Sequence, residues 1–98
     1  MGGTEHYLML GQQWGQKAEE NVEEWGIQKV DTLLLAIQEE LGELTQAHLE
    51  ARAEGGDPAR VEEELADLSA LCFQLQWSLN RRDVDTGSDR SDTRPEPE

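Results

Sequence analysis

The chain has 98 residues, with 22 Asp or Glu against 8 Lys or Arg, for a formal net charge of −14. So acidic a protein excludes a nucleic-acid polymer or an anionic membrane as partner, because both are held by a basic footprint. A single cysteine excludes a disulfide framework and a cysteine-based zinc site, and no apolar run approaches the roughly 20 residues of a membrane span.

The amino terminus carries no basic segment followed by an apolar one, so the expected location is the cytoplasm. Lysine occurs only at Lys17 and Lys29. This excess of acid suits a halophilic cytoplasm, where salt screens the self-repulsion of the surface. A core drawn from about eighty residues is small for a monomer, which makes oligomerisation the expectation.

Thr4 can cap a first helix from about Glu5 to Trp25. Tyr7, Leu10, Trp14, Ala18, Val22 and Trp25 recur at the three- and four-residue steps of one helical face. Gly11 and Gly15 weaken that helix, and Glu19, Glu20, Glu23 and Glu24 read as its solvated side.

Gly26 breaks the pattern, and Asp31 or Thr32 can cap a second helix to about Glu54. Leu33, Ile37, Leu41 and Leu44 form its main stripe, with Ala36, Ala47 and Ala51 alongside. At about 100° per residue, Glu40 falls inside that stripe, between Leu33 and Ala47. Glu43 sits on its edge and Glu39 is further round.

The next turn is well punctuated. Gly55 and Gly56 suit a helix end, Asp57 an N-cap and Pro58 a first helical position. So short a link predicts an antiparallel helix pair. The third helix is predicted from Pro58 to about Arg81, with Val61, Leu65, Leu68, Leu71, Cys72, Leu75 and Leu79 as its main stripe. Glu64 lies among them, and Asp67 borders them beside Gln74 and Ser78.

A second apolar strip, Ala66, Ala70, Phe73 and Trp77, runs down the other side of this helix. A helix pair cannot cover both strips, so either the first helix or a second subunit must cover one. The expectation is an all-α antiparallel bundle of three main helices over residues 1–82, completed as a homodimer or homotetramer. Residues 83–98 are rich in Asp, Ser, Thr, Arg, Pro and Glu, bury too little to offset their ordering entropy, and are expected to be a disordered tail.

Two acid pairs now stand out. Glu40 with Glu43, and Glu64 with Asp67, are each three residues apart and so project from one side of their helix. Counted from the Gly55–Asp57 turn they sit at similar heights. Four carboxylates facing one another across an apolar seam repel, and desolvation disfavours their ionisation further. Pairing with Arg or Lys would also relieve them, but bases are scarce. A hard divalent cation removes the conflict, and all-oxygen ligation favours Mg²⁺, with Mn²⁺ as a substitute, over zinc. Such a cluster shared with a polyphosphate points to hydrolysis of a phosphoanhydride.

The run Glu39-Glu40-Leu41-Gly42-Glu43, followed by Glu64-Leu65-Ala66-Asp67, resembles the Glu-Glu-x-x-Glu … Glu-x-x-Asp signature of the all-α nucleotide pyrophosphohydrolases, and most of all their MazG-like group. The lead-in Leu33-Leu34-Leu35-Ala36-Ile37 and the string Glu40–Leu44 add to the likeness, which spans about residues 10 to 80. The resemblance implies Mg²⁺-dependent hydrolysis of nucleoside triphosphates to monophosphate and pyrophosphate, with the removal of unwanted nucleotides as a house-cleaning role. Glu40, Glu43, Glu64 and Asp67 would be the metal ligands, with Glu39 and Glu40 the catalytic acids and Glu39 orienting water. Trp14 and Trp25 would stack on the base, Lys17 and Lys29 are candidate phosphate contacts, and Asn80 can hydrogen-bond base or sugar.

Two alternatives accompany this reading. Phosphoribosyl-ATP pyrophosphohydrolases share the acidic motifs, but their basic lead-in is replaced here by Ile37 and Gln38. A non-catalytic helical oligomer could hold metal structurally. Many MazG-like relatives continue into a further helix with basic residues, where this chain has its acidic tail. The charge balance makes a direct prediction: thermal unfolding followed by circular dichroism should show the melting temperature rising from low salt into molar KCl.

Overall fold

The computed structural model describes residues 2–85, and three helices carry nearly all of them: α1 (Gly2–Trp25), α2 (Val30–Ala53) and α3 (Pro58–Asp85). No strand occurs among the described residues, and no helix among them is long and apolar enough to cross a membrane.

The breaks fall where the backbone chemistry demands them. Gly26 (φ 82°) and Gly55 (φ 71°) adopt left-handed conformations that side-chain-bearing residues disfavour. The Gly26 N–H donates to the Val22 carbonyl at 2.8 Å, and the Gly56 N–H to the Glu50 carbonyl at 3.0 Å, so both helix ends keep their carbonyls bonded. Asp57 caps α3, accepting the Ala59 N–H on Oδ1 at 2.9 Å.

Some helix ends differ from expectation. α2 begins at Val30 with Lys29 at the N-cap, in extended conformation and without a side-chain cap. Asp31 and Thr32 therefore sit inside the first turn, where Asp31 still faces the positive end of the helix dipole. α1 begins at Gly2, which puts Thr4 within it, and α3 runs on through Asp85. The boundary expected after residue 82 thus falls inside a helix; the rest of the expected tail, 86–98, lies outside the described residues.

α3 is the central element. It packs against both α1 and α2, while those two scarcely meet each other. The most deeply buried apolar residues are Ala18, Leu33, Ala47 and Ala70, and three alanines among four allow close helix approach. Two buried polar side chains on α3 are satisfied across elements. Gln74 Oε1 accepts from Asn21 Nδ2 at 2.8 Å, and Ser78 Oγ donates to the Gln28 carbonyl at 3.2 Å. These bonds tie α3 to α1 and to the α1–α2 connection.

α1 covers the second strip of α3 in part. Trp14 meets Phe73 edge to face, with centroids 6.4 Å apart, and Gly15 lies against the same ring. Trp77 stays 52% exposed.

Serving two neighbours turns the buried arc of α3 toward Ala70, Gln74 and Ser78. As a result Leu65, Cys72 and Leu79, each seven residues on from the last, are exposed. On α2, Leu33 is fully buried while Leu34 and Leu41 are about half exposed, at 49% and 51%. The expected main stripes therefore overreach at Leu41, Leu65, Cys72 and Leu79, and these four with Leu34 lie outside the core that one chain builds. Leu33→Ala should cost about 2–5 kcal/mol, read as a lower denaturation midpoint in urea at unchanged slope.

Candidate metal centre

α2 and α3 bring the paired acids together at their seam. One carboxylate oxygen from each of Glu40, Glu43 and Glu64 lies within 4.8 Å of the other two. Glu43 is exposed, Glu40 is half-buried, and the Glu64 side chain is 12% exposed. Glu64 Oε2 receives Arg60 Nε at 3.4 Å, one turn earlier on the same helix.

The other oxygens are not so served. Glu40 Oε1 and Glu64 Oε1 are both buried and have no hydrogen-bond donor. The two carboxyl groups are within reach of each other, but a bond between them requires a proton on one. Burial is the main cause that pushes the Glu40 carboxyl up to about 7, followed by that bond to Glu64 and by the charges of Glu43, Asp67 and Glu64.

Asp67 is engaged elsewhere. Its Oδ1 lies 3.0 Å from Lys17 Nζ, an ion pair joining α1 to α3. The bond to Asp67 holds the Lys17 ammonium above the usual lysine range, against the opposing effect of burial. Three of the four expected ligands thus converge, and the fourth stands beside them on a lysine.

Two depressions flank the acids. A crevice of about 440 Å³ between the three helices is lined by Asn21, Trp25, Gln28, Ala36, Glu39, Glu40, Asp67, Leu71 and Gln74. A second, of about 520 Å³, is lined by Glu39, Gly42, Glu43, Gln46, Glu50 and Arg60. Glu39 borders both, which places this exposed acid beside the cluster and open to solvent.

The remaining sequence candidates separate. Trp25 lines the crevice, whereas Trp14 is engaged with Phe73 in the α1–α3 packing. Lys29 holds the α2 N-cap. Asn80 accepts from Gln76 Nε2 at 2.9 Å on the exposed side of α3. The crevice amides Asn21, Gln28 and Gln74 were not singled out as site residues, nor was Arg60. The available signal was spacing: Asn21 follows Lys17 by four residues, and Arg60 precedes Glu64 by four.

The three glutamates can hold a metal ion. Opposite ligands of an octahedral Mg²⁺ stand about 4.2 Å apart at bonds of 2.0–2.1 Å, and the three carboxylate oxygens all lie within 4.8 Å of one another. The donors are all carboxylate, and two of their oxygens lack any other partner. No family model, curated protein or solved structure matches this chain.

Without metal, the folded state binds the Glu40 proton more tightly than the unfolded chain does. Its contribution to stability is therefore full below the ordinary value of 4.5 and is lost as pH rises toward about 7. Thermal melts in EDTA should show this loss, Glu40→Gln should flatten it, and Mg²⁺ at pH 8 should restore the wild-type melting temperature.

Proposed function

We propose that this protein is a MazG-like nucleotide pyrophosphohydrolase that uses Mg²⁺, or Mn²⁺ in its place, to cleave nucleoside triphosphates to monophosphate and pyrophosphate. The observation that carries the reading is the convergence of Glu40, Glu43 and Glu64, with two orphaned buried oxygens, beside a crevice containing Trp25. The same acids form the Glu-Glu-x-x-Glu … Glu-x-x-Asp signature across α2 and α3, which supports the reading.

In this reading Glu40, Glu43 and Glu64 would hold Mg²⁺, with Asp67 completing the signature beside them. The bound ion would screen the polyphosphate charge, lower the pKa of a water and stabilise the leaving oxygen. The chain's own residues do the rest. Glu39, exposed and bordering both depressions, accepts a proton from the attacking water on its carboxylate. Trp25 offers an indole face in the crevice for stacking on a base. The amides of Asn21, Gln28 and Gln74 offer donors and acceptors to its edge.

The working form in this proposal is a homodimer or a dimer of dimers. Leu34 and Leu41 on α2, with Leu65, Cys72 and Leu79 on α3, are exposed at heptad spacing. Helical advance puts them on the flank of the α2–α3 pair turned away from Ala36 and Glu39. A second copy seated there buries what one chain leaves open.

Pyrophosphate release from a panel of standard and modified triphosphates with Mg²⁺ tests the activity. Turnover of at least one is expected, with Glu40→Gln lowering kcat by on the order of 10²–10³-fold or more while the helical circular dichroism is retained. A fully active Glu40→Gln would remove that residue from the ligand set. Inactivity across the panel and on phosphoribosyl-ATP, with metal still bound, would leave a structural metal site.

A further inference from the structure

Lys17 is the only lysine or arginine in α1, and it is spent on an acid of the metal signature. Its Nζ lies 3.0 Å from Asp67 Oδ1, and the two side chains are 40% and 41% exposed. Asp67 is one turn along α3 from Glu64, and its charge reaches Glu40. Even so, its carboxylate is not among the three oxygens that converge.

The second ion pair at the site differs in kind. Arg60 and Glu64 are four residues apart on one helix, so they can meet without any tertiary fold. Lys17 and Asp67 meet only when α1 is docked on α3.

Resting on the hydrolase reading above, we infer that Lys17 is a substrate-positioning residue that exchanges partners. It withholds Asp67 from the metal ligands in the ligand-free protein, and it releases Asp67 to them when its ammonium takes a substrate phosphate. An ion pair this open to water is weak and readily exchanged. A triphosphate offers the ammonium more charge and more acceptor oxygens than one carboxylate does. The lysine stem is flexible enough to move its head between them. Asp67, once released, is a free carboxylate beside three others around a cation. Substrate phosphate and the fourth ligand would then arrive together, so that the full ligand set forms only with substrate present.

The test begins with metal alone. Mn²⁺ binding to the full chain, without nucleotide, is followed by loss of the free-ion electron paramagnetic resonance signal. Wild type, Lys17→Met, Asp67→Asn and the double variant are compared. Lys17→Met is expected to tighten Mn²⁺ by about three- to tenfold, and Asp67→Asn to erase that gain. An equal gain in both backgrounds would mean that Lys17 acts only through its general field, and would overturn the proposal.

The second readout is kinetic. Lys17→Met should raise KM for the Mg²⁺–triphosphate by about tenfold, more than it lowers kcat, with Lys17→Arg recovering most of the loss. A fall in kcat alone, or no rescue by arginine, would contradict a phosphate-positioning role. If no triphosphate is hydrolysed, the catalytic reading falls, and the Mn²⁺ comparison alone decides whether Lys17 withholds Asp67.

Discussion

Two carboxylate oxygens at the α2–α3 seam, one on Glu40 and one on Glu64, lie out of reach of solvent and have no donor. A buried carboxylate without a partner is among the costliest groups a small fold can contain. The chain meets this cost only in part. Arg60 takes the outer oxygen of Glu64, Lys17 takes Asp67, and Glu40 is left to retain a proton toward neutral pH. With 8 basic residues against 22 acidic ones, few further cations of its own are available to the seam.

This tension sits on the element that the rest of the fold leans on. α3 touches both other helices, so its surface is divided three ways: the acid seam with α2, the Ala70–Phe73 side toward α1, and a flank left open. The core that results is built mostly of alanine, with Leu33 the one fully buried large side chain among the described residues. Cross-links by Asn21–Gln74 and Ser78–Gln28 hold α1 and its connection in place where apolar burial is thin. An electrostatic conflict inside so slight a core is consistent with a site that is stabilised by what it binds, and with the proposal that a divalent cation and a second copy both belong to the working protein.

The crevice beside the acids owes its chemistry to α1. Trp25 and Asn21 come from its last turns, and Gln28 from the turn that follows. Lys17, one turn earlier than Asn21, pairs with Asp67 beside the acid cluster. α1 thus contributes to both halves of the proposed site without contributing an acid to the converging three.

Local chemistry and periodicity were enough to read three helices, the glycine breaks at Gly26 and Gly55, the Asp57–Pro58 start of α3, and the inward direction of Glu40 and Glu64. Each follows from backbone preference or from the 3.6-residue repeat, which a sequence displays directly. The start of α2 was less legible, because Lys29 at its N-cap makes no side-chain cap bond to mark it. Only the tertiary structure decided which apolar residues are core. Periodicity reports that a residue is apolar and on a given face, not how many neighbours share that face. With α3 flanked on two sides, Leu41, Leu65, Cys72 and Leu79 fell outside. Only the tertiary structure, too, separated Asp67 from the other three acids, because the lysine that engages it lies fifty residues away in sequence, on a helix whose docking angle no local pattern encodes.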